Sequence, residues 1–499
     1  MTDSAFSFCK KYKGAIVLVT IILFLFLYSL PLLTTKPRLS YDEGFFIEEA
    51  HNFEQFGKLD IFVSPNSFSG LPHIASSSGF PGEIPLALFF KLFGFGLEQA
   101  RVYALLWMAA LLIVSYFFAK RLFGTLSAIG TILLIVTFPP FHNNGRMAMG
   151  DIPGFTYLIL GLLFLSRRFF LSGLFMGLSM ISRPSVYVGA FIGVGIETLY
   201  TKGMGGIRSL LFTAFGVSIS VLTSIILYLP ESLTQEWWRK TVLYIRTPTF
   251  GLGNTPGHNF IYNIQSFFSE ETLVYFSILF LLIVVAFLLG GKREWNRRFL
   301  IFSVIYSLFV IAYFMKSPGW LKYLLPFQLL IFFYVPSALR IITEKVYEYA
   351  KNKGFIRIFS ELQAFQLAFL GVLVLASLQL MQLFFFADIF ASDDVERANG
   401  FLSERLDGTA TVAFIHTSVL AALTPPDRKY SFNVVNENFF IGENPLGFAN
   451  NRLVTYVVVP EDLANFSAQF QGQYHETLKE KYNLLTKIGR HDIYELKVR

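Results

Sequence analysis

The stretch GAIVLVTIILFLFLYSLPLL runs from Gly14 to Leu33, carries no charge, and is long enough to cross a bilayer as a helix. Two adjacent carboxylates follow it, in the sequence Ser40-Tyr41-Asp42-Glu43-Gly44. Because carboxylates cost stability when they enter lipid, a pair beside a span is expected to serve chemistry at the membrane surface. Asp42 and Glu43 are therefore the first candidate catalytic residues of the chain.

The overall composition predicts the same class of protein. Of the 499 residues, 54% are hydrophobic and 15% are charged, and the mean hydropathy is +0.53. These proportions are too apolar for a soluble chain of this length, and they predict a polytopic α-helical membrane protein. The formal net charge is +7, but the basic residues lie mostly in short loops between apolar runs. That placement indicates membrane orientation and not a nucleic-acid partner.

Apolar windows predict eleven transmembrane helices. They lie at 14–33, 99–119, 124–141, 152–166, 169–182, 184–200, 207–229, 272–290, 298–315, 320–338 and 363–386. Lys and Arg are more frequent in the loops on the side of the N-terminus. This bias predicts a cytoplasmic N-terminus and an extracytoplasmic C-terminus, in an integral protein of the plasma (inner) membrane.

The outer side is where a reaction is expected. It carries two large loops, 34–98 and 230–271, whereas the cytoplasmic loops are short and contain no Gly-rich phosphate-binding loop. After a transmembrane domain over 1–390, the polar tail predicts an extracytoplasmic α/β domain over 391–499. Its predicted strands are Ala410–Ile415, Leu453–Val459, Leu484–Ile488 and Ile493–Val498, with a helix over Glu461–Tyr482. The single cysteine, Cys9, excludes intrachain disulfides.

The segment after Asp42 predicts an amphipathic helix that lies along the outer membrane interface. Glu48 and Glu49 are expected to point away from its apolar face. That face is formed by Phe46, Ala50, Phe53 and Gly57. In a purely structural reading, Ser40 or Asp42 is the N-cap of this helix.

Asp151, at the outer start of the predicted span 152–166, is the third candidate carboxylate. Because Pro153 follows it closely, helix capping is its alternative role. Arg146, five residues earlier, lies at the membrane boundary against the positive-inside bias. A buried guanidinium at this level requires an anionic partner, and the sequence offers either Asp151 or a phosphate.

Further basic residues share this outer level, and His258 lies in a glycine-rich part of the second outer loop. Taken alone, each of these basic side chains can be explained as one that extends to lipid headgroups. Several cations that face two carboxylates would instead suit a phosphate-bearing lipid whose sugar is being moved. His258 is a candidate metal ligand or substrate contact, although a lone loop histidine is more often neither. The basic residues are Arg183, Arg246, Lys316 and Lys322.

At these positions the sequence resembles the GT-C class of membrane glycosyltransferases, in the branch that includes the protein O-mannosyltransferases and the aminoarabinose transferase of lipid A, ArnT. The motifs occur in the family's order over about residues 14–330. They are Asp42-Glu43 after the first span, the proline-containing segment Gly79–Leu86, Arg146 with Asp151, Ser182-Arg183-Pro184, and Lys322-Tyr323-Leu324-Leu325-Pro326.

The resemblance implies a GT-C-like transmembrane domain that transfers a sugar from a polyprenyl-phosphate donor to an acceptor hydroxyl on the outer face, with inversion. Asp42 would be the general base, and burial is expected to raise its pKa toward the working pH. Arg146, with Arg183 and Lys322, would stabilise the departing phosphate. Glu43 and Asp151 would orient these groups or bind a metal. The other candidate substrate-binding residues are Arg246, His258, Lys316 and Tyr323.

The chain departs from the family at the first outer loop. Relatives often carry a lysine for the carrier phosphate just before the loop prolines, whereas this chain has Phe80-Pro81-Gly82-Glu83. Some members bind a divalent metal and others do not, so no cofactor is assigned and a divalent metal is only a candidate. The acceptor can be a glycan, a lipid or a protein.

Two other functions fit a polytopic membrane protein. A lipid or sugar transporter, or flippase, is expected to place ionisable residues near the membrane midplane in broken helices and to have repeated halves. The sequence has no repeat, and its charges lie at the outer rim. A structural subunit that holds other enzymes would not need an ordered set of acids and bases.

Overall fold

The computed structural model describes residues 2–37, 39–64, 67–70, 79–229, 231–245, 261, 263–265, 271–290, 295–316, 321–352, 361–386, 392–406, 410–415, 417–424, 431–434, 454–460 and 468–497. Within these ranges the chain is mainly helical, and its strands lie in the first outer loop and near the C-terminal end.

The helices of the described residues precede and follow two short strands of the first outer loop, β1 (Phe62–Ser64) and β2 (Ser67–Phe68). They are α1 (Thr2–Ser29), α2 (Tyr41–Phe56), α3 (Phe80–Phe93), α4 (Leu97–Phe123), α5 (Thr125–Thr137), α6 (Pro139–Gly145), α7 (Asp151–Phe164), α8 (Phe169–Ser182), α9 (Pro184–Lys202), α10 (Ile207–Leu227), α11 (Gln235–Ile245), α12 (Glu271–Gly290), α13 (Arg297–Lys316), α14 (Leu325–Asn352), α15 (Glu361–Phe386), α16 (Asp394–Arg405), α17 (Ser418–Leu423) and α18 (Ala468–Lys481).

The apolar helices confirm a membrane protein. By length and composition, six helical segments of the described residues qualify as spans, with α9 and α10 counted as one segment of 44 residues. The count is seven if α5 and α6, which are bent by 65°, form one span. Each of the eleven predicted segments overlaps one of these helices or the shorter apolar helices α7, α8 and α12. The number of eleven spans itself stays a prediction.

Small residues allow α8 to pack closely against α10. A Cβ atom at Gly173 would lie 2.0 Å from the backbone oxygen of Thr213, and one at Gly216 would lie 2.4 Å from the oxygen of Phe170. Since lipid tails are as apolar as the side chains, helices in a membrane associate through such close packing more than through the hydrophobic effect. This contact holds the start of α8, and a site residue follows the other end of that helix.

The C-terminal region contains a five-stranded mixed sheet, with strands in the order β4-β3-β5-β7-β6. β3 pairs in parallel with β4 and β5, whereas β7 is antiparallel to β5 and β6. The strands are β3 (Val412–Ile415), β4 (Ser431–Val434), β5 (Tyr456–Pro460), β6 (Tyr482–Ile488) and β7 (His491–Leu496). The predicted α/β character is therefore confirmed. The short edge strand β4 was not predicted, and the boundary between residues 390 and 391 stays a prediction.

This sheet packs on the first outer loop. Phe62 belongs to the same hydrophobic cluster as Ala413 and Val457, and the Ser392 backbone nitrogen donates a hydrogen bond to the Thr35 oxygen at 3.1 Å. Helix α17 contributes Ala422 to a second cluster, which contains Phe46 of α2. The C-terminal region thus holds α2 from one side.

Helix α2 forms as predicted, and its position along the membrane interface stays a prediction. It is enclosed between α3 and α17, and Phe46 and Ala50 are buried in the resulting cluster. Glu48 and Glu49, expected to point away from the buried face, are 3% and 1% exposed. The expected polar face is therefore covered as well, because Glu49 lies beside Glu83 of α3 and Glu48 accepts a hydrogen bond from the Phe62 backbone nitrogen at 3.1 Å.

Candidate functional site

The first turn of α2 presents Asp42 to cations from distant parts of the chain. Asp42 Oδ2 accepts a hydrogen bond from Lys322 Nζ at 2.7 Å and lies 3.6 Å from Arg183 Nη2. The N-cap of α2 is Ser40, and its side chain makes no capping hydrogen bond. Of the two residues considered for the cap, Ser40 holds the N-cap position, whereas Asp42 lies inside the helix and its carboxylate faces two cations.

Arg183 and Lys322 both extend from breaks between helices. Arg183 has an extended backbone (φ −155°, ψ 82°) between α8 and α9, as expected for a residue that precedes a proline. Pro184 then begins α9 at a position where the missing N–H costs nothing. Lys322 lies in a short 3₁₀ turn, Leu321–Leu324, just before α14. Their sequence context thus places both side chains at helix ends.

Arg183 also joins Asp151 to the site. Arg183 Nε lies 3.6 Å from Asp151 Oδ1, and both side chains are nearly buried. The N-cap of α7 is Gly150, so the capping role considered for Asp151 is wrong as well. The Tyr187 hydroxyl donates a hydrogen bond to the Asp151 backbone oxygen at 2.6 Å, which fixes the start of α7 against α9.

These four residues, Asp42, Asp151, Arg183 and Lys322, form what we call the Asp42 cluster. Its two carboxylates and two cations have no net charge. Burial alone would raise the pKa of Asp42, but the charges of Lys322 and Arg183 outweigh burial and lower it to about 2. The expected increase of this pKa is thus wrong. Asp42 is ionised and paired with cations that a bound anion could take over.

Glu43 faces a different partner. Its two oxygens accept hydrogen bonds from Arg101 Nε at 2.9 Å and Arg101 Nη2 at 2.8 Å, and both side chains are fully buried. Arg101 Nη1 also donates to the backbone oxygens of Leu33 and Pro37, and Ala148 N donates to Glu43 Oε1 at 3.1 Å. The structure therefore does not bring Glu43 into the Asp42 cluster. It ties the start of α2 to α1, α4 and the loop before α7.

Arg146 is fully buried beside Tyr28, with its guanidinium carbon 5.3 Å from the ring centroid. Its Nε donates to the His142 backbone oxygen at 3.3 Å, whereas Nη1 and Nη2 have no hydrogen-bond acceptor among the residues that the structure describes. Asp151 and a phosphate were the two partners expected for Arg146. The predicted pairing with Asp151 is wrong, because the Asp151 carboxylate pairs with Arg183. Binding of a phosphate by Arg146 stays a prediction.

The other residues predicted to bind substrate differ in where they lie relative to the Asp42 cluster. Tyr323 is buried next to the Asp42 cluster, with its ring 5.0 Å from that of Tyr313 and 5.9 Å from Lys322 Nζ. Lys316 is exposed at the end of α13 and forms no ion pair among the described residues. Arg246 and His258 lie outside the described residues. Within the described ranges, no three His, Cys, Asp or Glu side chains converge as a metal site, and the candidate divalent metal stays a prediction.

Sequence reasoning missed a pair of buried acids, Glu49 of α2 and Glu83 of α3. They lie next to each other, and none of their four oxygens has a hydrogen-bond donor among the described residues. Burial raises the pKa of Glu83 to about 8, and burial with the nearby Glu83 raises that of Glu49. The pair therefore holds at least one proton near neutral pH. One signal was available: Glu49 follows Asp42 by seven residues, which places both on the same face of α2.

A family model described as dolichyl-phosphate-mannose-protein mannosyltransferase matches residues 84–235. The matched segment contains Arg146, Asp151 and Arg183, and it does not reach Asp42 or Lys322. No curated protein matches the chain.

Two solved structures of ArnT from Cupriavidus metallidurans are similar to this chain. The structure bound to undecaprenyl phosphate has a TM-score of 0.60 and 14% identity, and the apo structure has 0.59 and 13%; each match covers 97% of this chain and 98% of ArnT. An oligosaccharyltransferase from Archaeoglobus fulgidus, tethered with an acceptor peptide, has a TM-score of 0.54 and 13% identity over 91% of this chain and 70% of that one. The chain therefore shares the fold of ArnT and of the oligosaccharyltransferase, and its residues 84–235 are similar to the protein mannosyltransferase family.

Proposed function

We propose that the protein is a membrane glycosyltransferase that moves a sugar from a polyprenyl-phosphate donor to an acceptor hydroxyl on the outer face of the membrane. The observation that carries this proposal is the convergence of Arg183 and Lys322 on Asp42 at the ends of helices. One candidate base and two candidate phosphate ligands then occupy one site. The similarity to ArnT, solved with undecaprenyl phosphate, supports the donor class.

The donor phosphate is assigned to Arg183 and Lys322. A bound phosphate monoester or diester would replace Asp42 as the hydrogen-bond partner of Lys322, and it would replace Asp42 and Asp151 as the ion-pair partners of Arg183. Fixed cations in a site shielded from water stabilise the charge that grows on a leaving phosphate. These cations could substitute for the lysine that relatives carry in the first loop. Arg146, whose terminal nitrogens lack acceptors among the described residues, is a second candidate for the phosphate.

Donor binding would also activate Asp42. While Asp42 is paired with Lys322 and Arg183, these cations keep its pKa at about 2, which makes the carboxylate ionised but weakly basic. When a phosphate neutralises these cations, the effect of burial is no longer opposed and the pKa of Asp42 rises. The base would thus gain strength only when a donor is in place.

The proposed reaction is a single displacement at the anomeric carbon. The acceptor oxygen forms the new bond to this carbon as its proton passes to an Asp42 oxygen. The bond from the carbon to the phosphate oxygen breaks, and the polyprenyl phosphate leaves with the electron pair. Because Asp42 forms no covalent intermediate with the sugar, the anomeric configuration inverts. Asp151 would hold Arg183 in position.

Transport of a lipid or sugar is less well supported. Transporters place their ionisable groups near the membrane midplane, in interrupted helices. The Asp42 cluster instead comes from the starts of α2 and α7 and from the connections before α9 and α14. Charges at the helix ends fit a reaction at the surface.

The proposed function can be tested with purified protein in lipid vesicles and a panel of radiolabelled polyprenyl-phosphate monosaccharides. Extracted envelope glycans, lipids and proteins would serve as separate acceptor fractions. We expect radiolabel to pass from one donor to one fraction. Well-folded protein that transfers no sugar from any donor to any fraction would contradict the proposal.

A further inference from the structure

A cavity of about 460 Å³ lies between the first outer loop and the C-terminal region. This volume is within the range of about 300–1,000 Å³ that small-molecule sites have. Thr34, Gly96 and Leu97 form one part of its lining, and Glu396, Asn399 and Leu423 form the opposite part. The cavity exists only because α16 and α17 pack over the transmembrane helices.

The cavity lies at the ends of two candidate spans, where lipid headgroups are expected. Thr34 follows the candidate span Gly14–Leu32, and Leu97 begins the candidate span Leu97–Phe123. Beside the cavity, helix α3 exposes Leu88, Leu92 and Phe93, which are 56%, 76% and 63% exposed. An apolar surface next to a polar cavity at this level fits a molecule that has an acyl chain and a polar head.

The polar groups of the lining are mainly hydrogen-bond acceptors. Asn399 Oδ1 is buried and has no donor among the described residues. Glu396 makes no ion pair among those residues, and Thr424 already uses its hydroxyl hydrogen on the Leu420 oxygen. A ligand with several O–H donors would satisfy these groups, whereas a phosphate or a carboxylate would be repelled by Glu396.

The apolar part of the lining suits the C–H face of a sugar ring. Leu97 and Leu423 line the cavity, and Phe95 is stacked with His51, with the ring centroids 3.8 Å apart. Amphipathic ligands with hydroxyl edges and apolar faces are typical of sites that combine aromatic or aliphatic walls with a few acceptors. A saccharide has both properties.

The cavity is separate from the Asp42 cluster. His51 and Asp42 are both on α2, nine residues apart, which corresponds to about 13.5 Å along the helix and to opposite faces. A sugar in the cavity is therefore not the group that reacts at Asp42.

We propose that this cavity is a saccharide subsite that binds the sugar part of a membrane-anchored glycolipid. Its role as a subsite for the acceptor rests on the proposed function, whereas saccharide binding itself does not. The cavity lies beside α2 and beneath the C-terminal region, and a glycan held there would be positioned relative to the helix that carries Asp42.

The first test uses photoactivatable dodecyl maltoside, with a diazirine in its alkyl chain, and the full-length protein in nanodiscs. Dodecylphosphocholine with the same diazirine is the matched probe for a lipid without a sugar. We expect the maltoside to label segments 93–97 and 395–424 saturably and the phosphocholine to label them much less. Equal labelling by both probes, or no labelling of these segments by the maltoside, would overturn the proposal.

Two variants locate the binding groups. Asn399→Leu removes the orphaned acceptor and Leu423→Trp fills the cavity, and each is expected to weaken maltoside labelling about fivefold or more. Glu404→Gln, on the exposed side of α16, is the control and should label like the wild type. If both cavity variants fold and also label like the wild type, the proposal is wrong.

A transfer assay separates this proposal from the proposed function. With a glycolipid acceptor fraction, Leu423→Trp and Asn399→Leu should raise KM for the acceptor and leave KM for the donor unchanged. Active variants with an unchanged acceptor KM would refute the acceptor subsite alone. A wild type without transfer activity would refute the proposed function and leave the labelling result standing.

Discussion

Lys322 Nζ lies 2.7 Å from Asp42 Oδ2, although 280 residues separate them in the chain. Arg183 joins the same oxygen at 3.6 Å and extends the contact to Asp151. Lys322 and Arg183 pair with Asp42 and are also the candidate ligands of the donor phosphate. The pKa of Asp42 is therefore expected to change when the donor binds. This relationship leads to the first prediction.

Lys322→Met should weaken donor binding and change the dependence of activity on pH. Loss of one charge-assisted contact to the phosphate is expected to raise KM for the donor about tenfold. Removal of a charge that lowers the pKa of Asp42 should raise that pKa, so activity on the acid side should decline at a higher pH than in the wild type. Lys91→Met, at an exposed position of α3, is the control. An unchanged KM and pH profile would show that Lys322 does not contact the donor.

The buried ion pair of Arg101 and Glu43 should be essential for stability. Arg101→Met leaves Glu43 as an unpaired buried charge, which is expected to lower the free energy of unfolding by about 3–5 kcal/mol. Adding Glu43→Met should recover part of this loss, because no charge is then left without a partner. Thermal unfolding of the purified protein measures both effects.

The exposed pair of Arg239 and Glu236 provides the control for this measurement. Its atoms lie 3.0 Å apart on α11, but solvent screens the pair, so Arg239→Met should leave the unfolding temperature unchanged. If Arg101→Met and Arg239→Met had equal effects, the tie between α2, α1 and α4 would be unimportant.

Stability should fall as the pH rises from about 5 to 9, because of Glu49 and Glu83. The folded protein holds the proton of Glu83, with a pKa of about 8, to a higher pH than the unfolded chain does. The stability from this proton is full below the ordinary pKa of a glutamate and is lost as the pH rises through about 8. Glu83→Gln should therefore flatten the unfolding temperature between pH 6 and 9. Glu98→Gln, at an exposed position of α4, should retain the slope of the wild type.

Gly173→Ala should disrupt the packing of α8 against α10. The added Cβ atom would lie 2.0 Å from a backbone oxygen, which cannot move without shifting a helix. We expect a loss of folded protein in detergent, measured by size-exclusion chromatography. Gly195→Ala in α9, where no atom lies within 4 Å, should behave like the wild type. Equal yields of the two variants would contradict the close packing of α8 and α10.

Much of this architecture can be predicted from the sequence, because local features determine it. Apolar windows locate the helices, and a proline after Arg183 places that residue at a helix break. The outer level of Arg183 and Lys322 predicts that they share a compartment with Asp42. The contacts among these three side chains depend on tertiary packing between distant parts of the chain. The local sequence pattern therefore does not predict them.

Other features could not be predicted because they depend on what covers a helix. The periodicity of α2 shows one apolar face, whereas Glu49 is buried beside Glu83 of α3 and Glu48 accepts a hydrogen bond from the Phe62 backbone nitrogen. Glu43 was grouped with Asp42 because the two are adjacent. Adjacent helical residues point about 100° apart, and Glu43 instead meets Arg101.

The central claim is that Asp42 is the base of a transfer reaction from a lipid-linked sugar. Its most direct test compares wild type and Asp42→Asn for single-turnover sugar transfer and for binding of the same polyprenyl-phosphate donor. Loss of a general base should slow transfer about 10²–10⁴-fold. Donor binding should persist or become tighter, because Lys322 and Arg183 no longer pair with this carboxylate. Transfer by folded Asp42→Asn at the wild-type rate would contradict the claim.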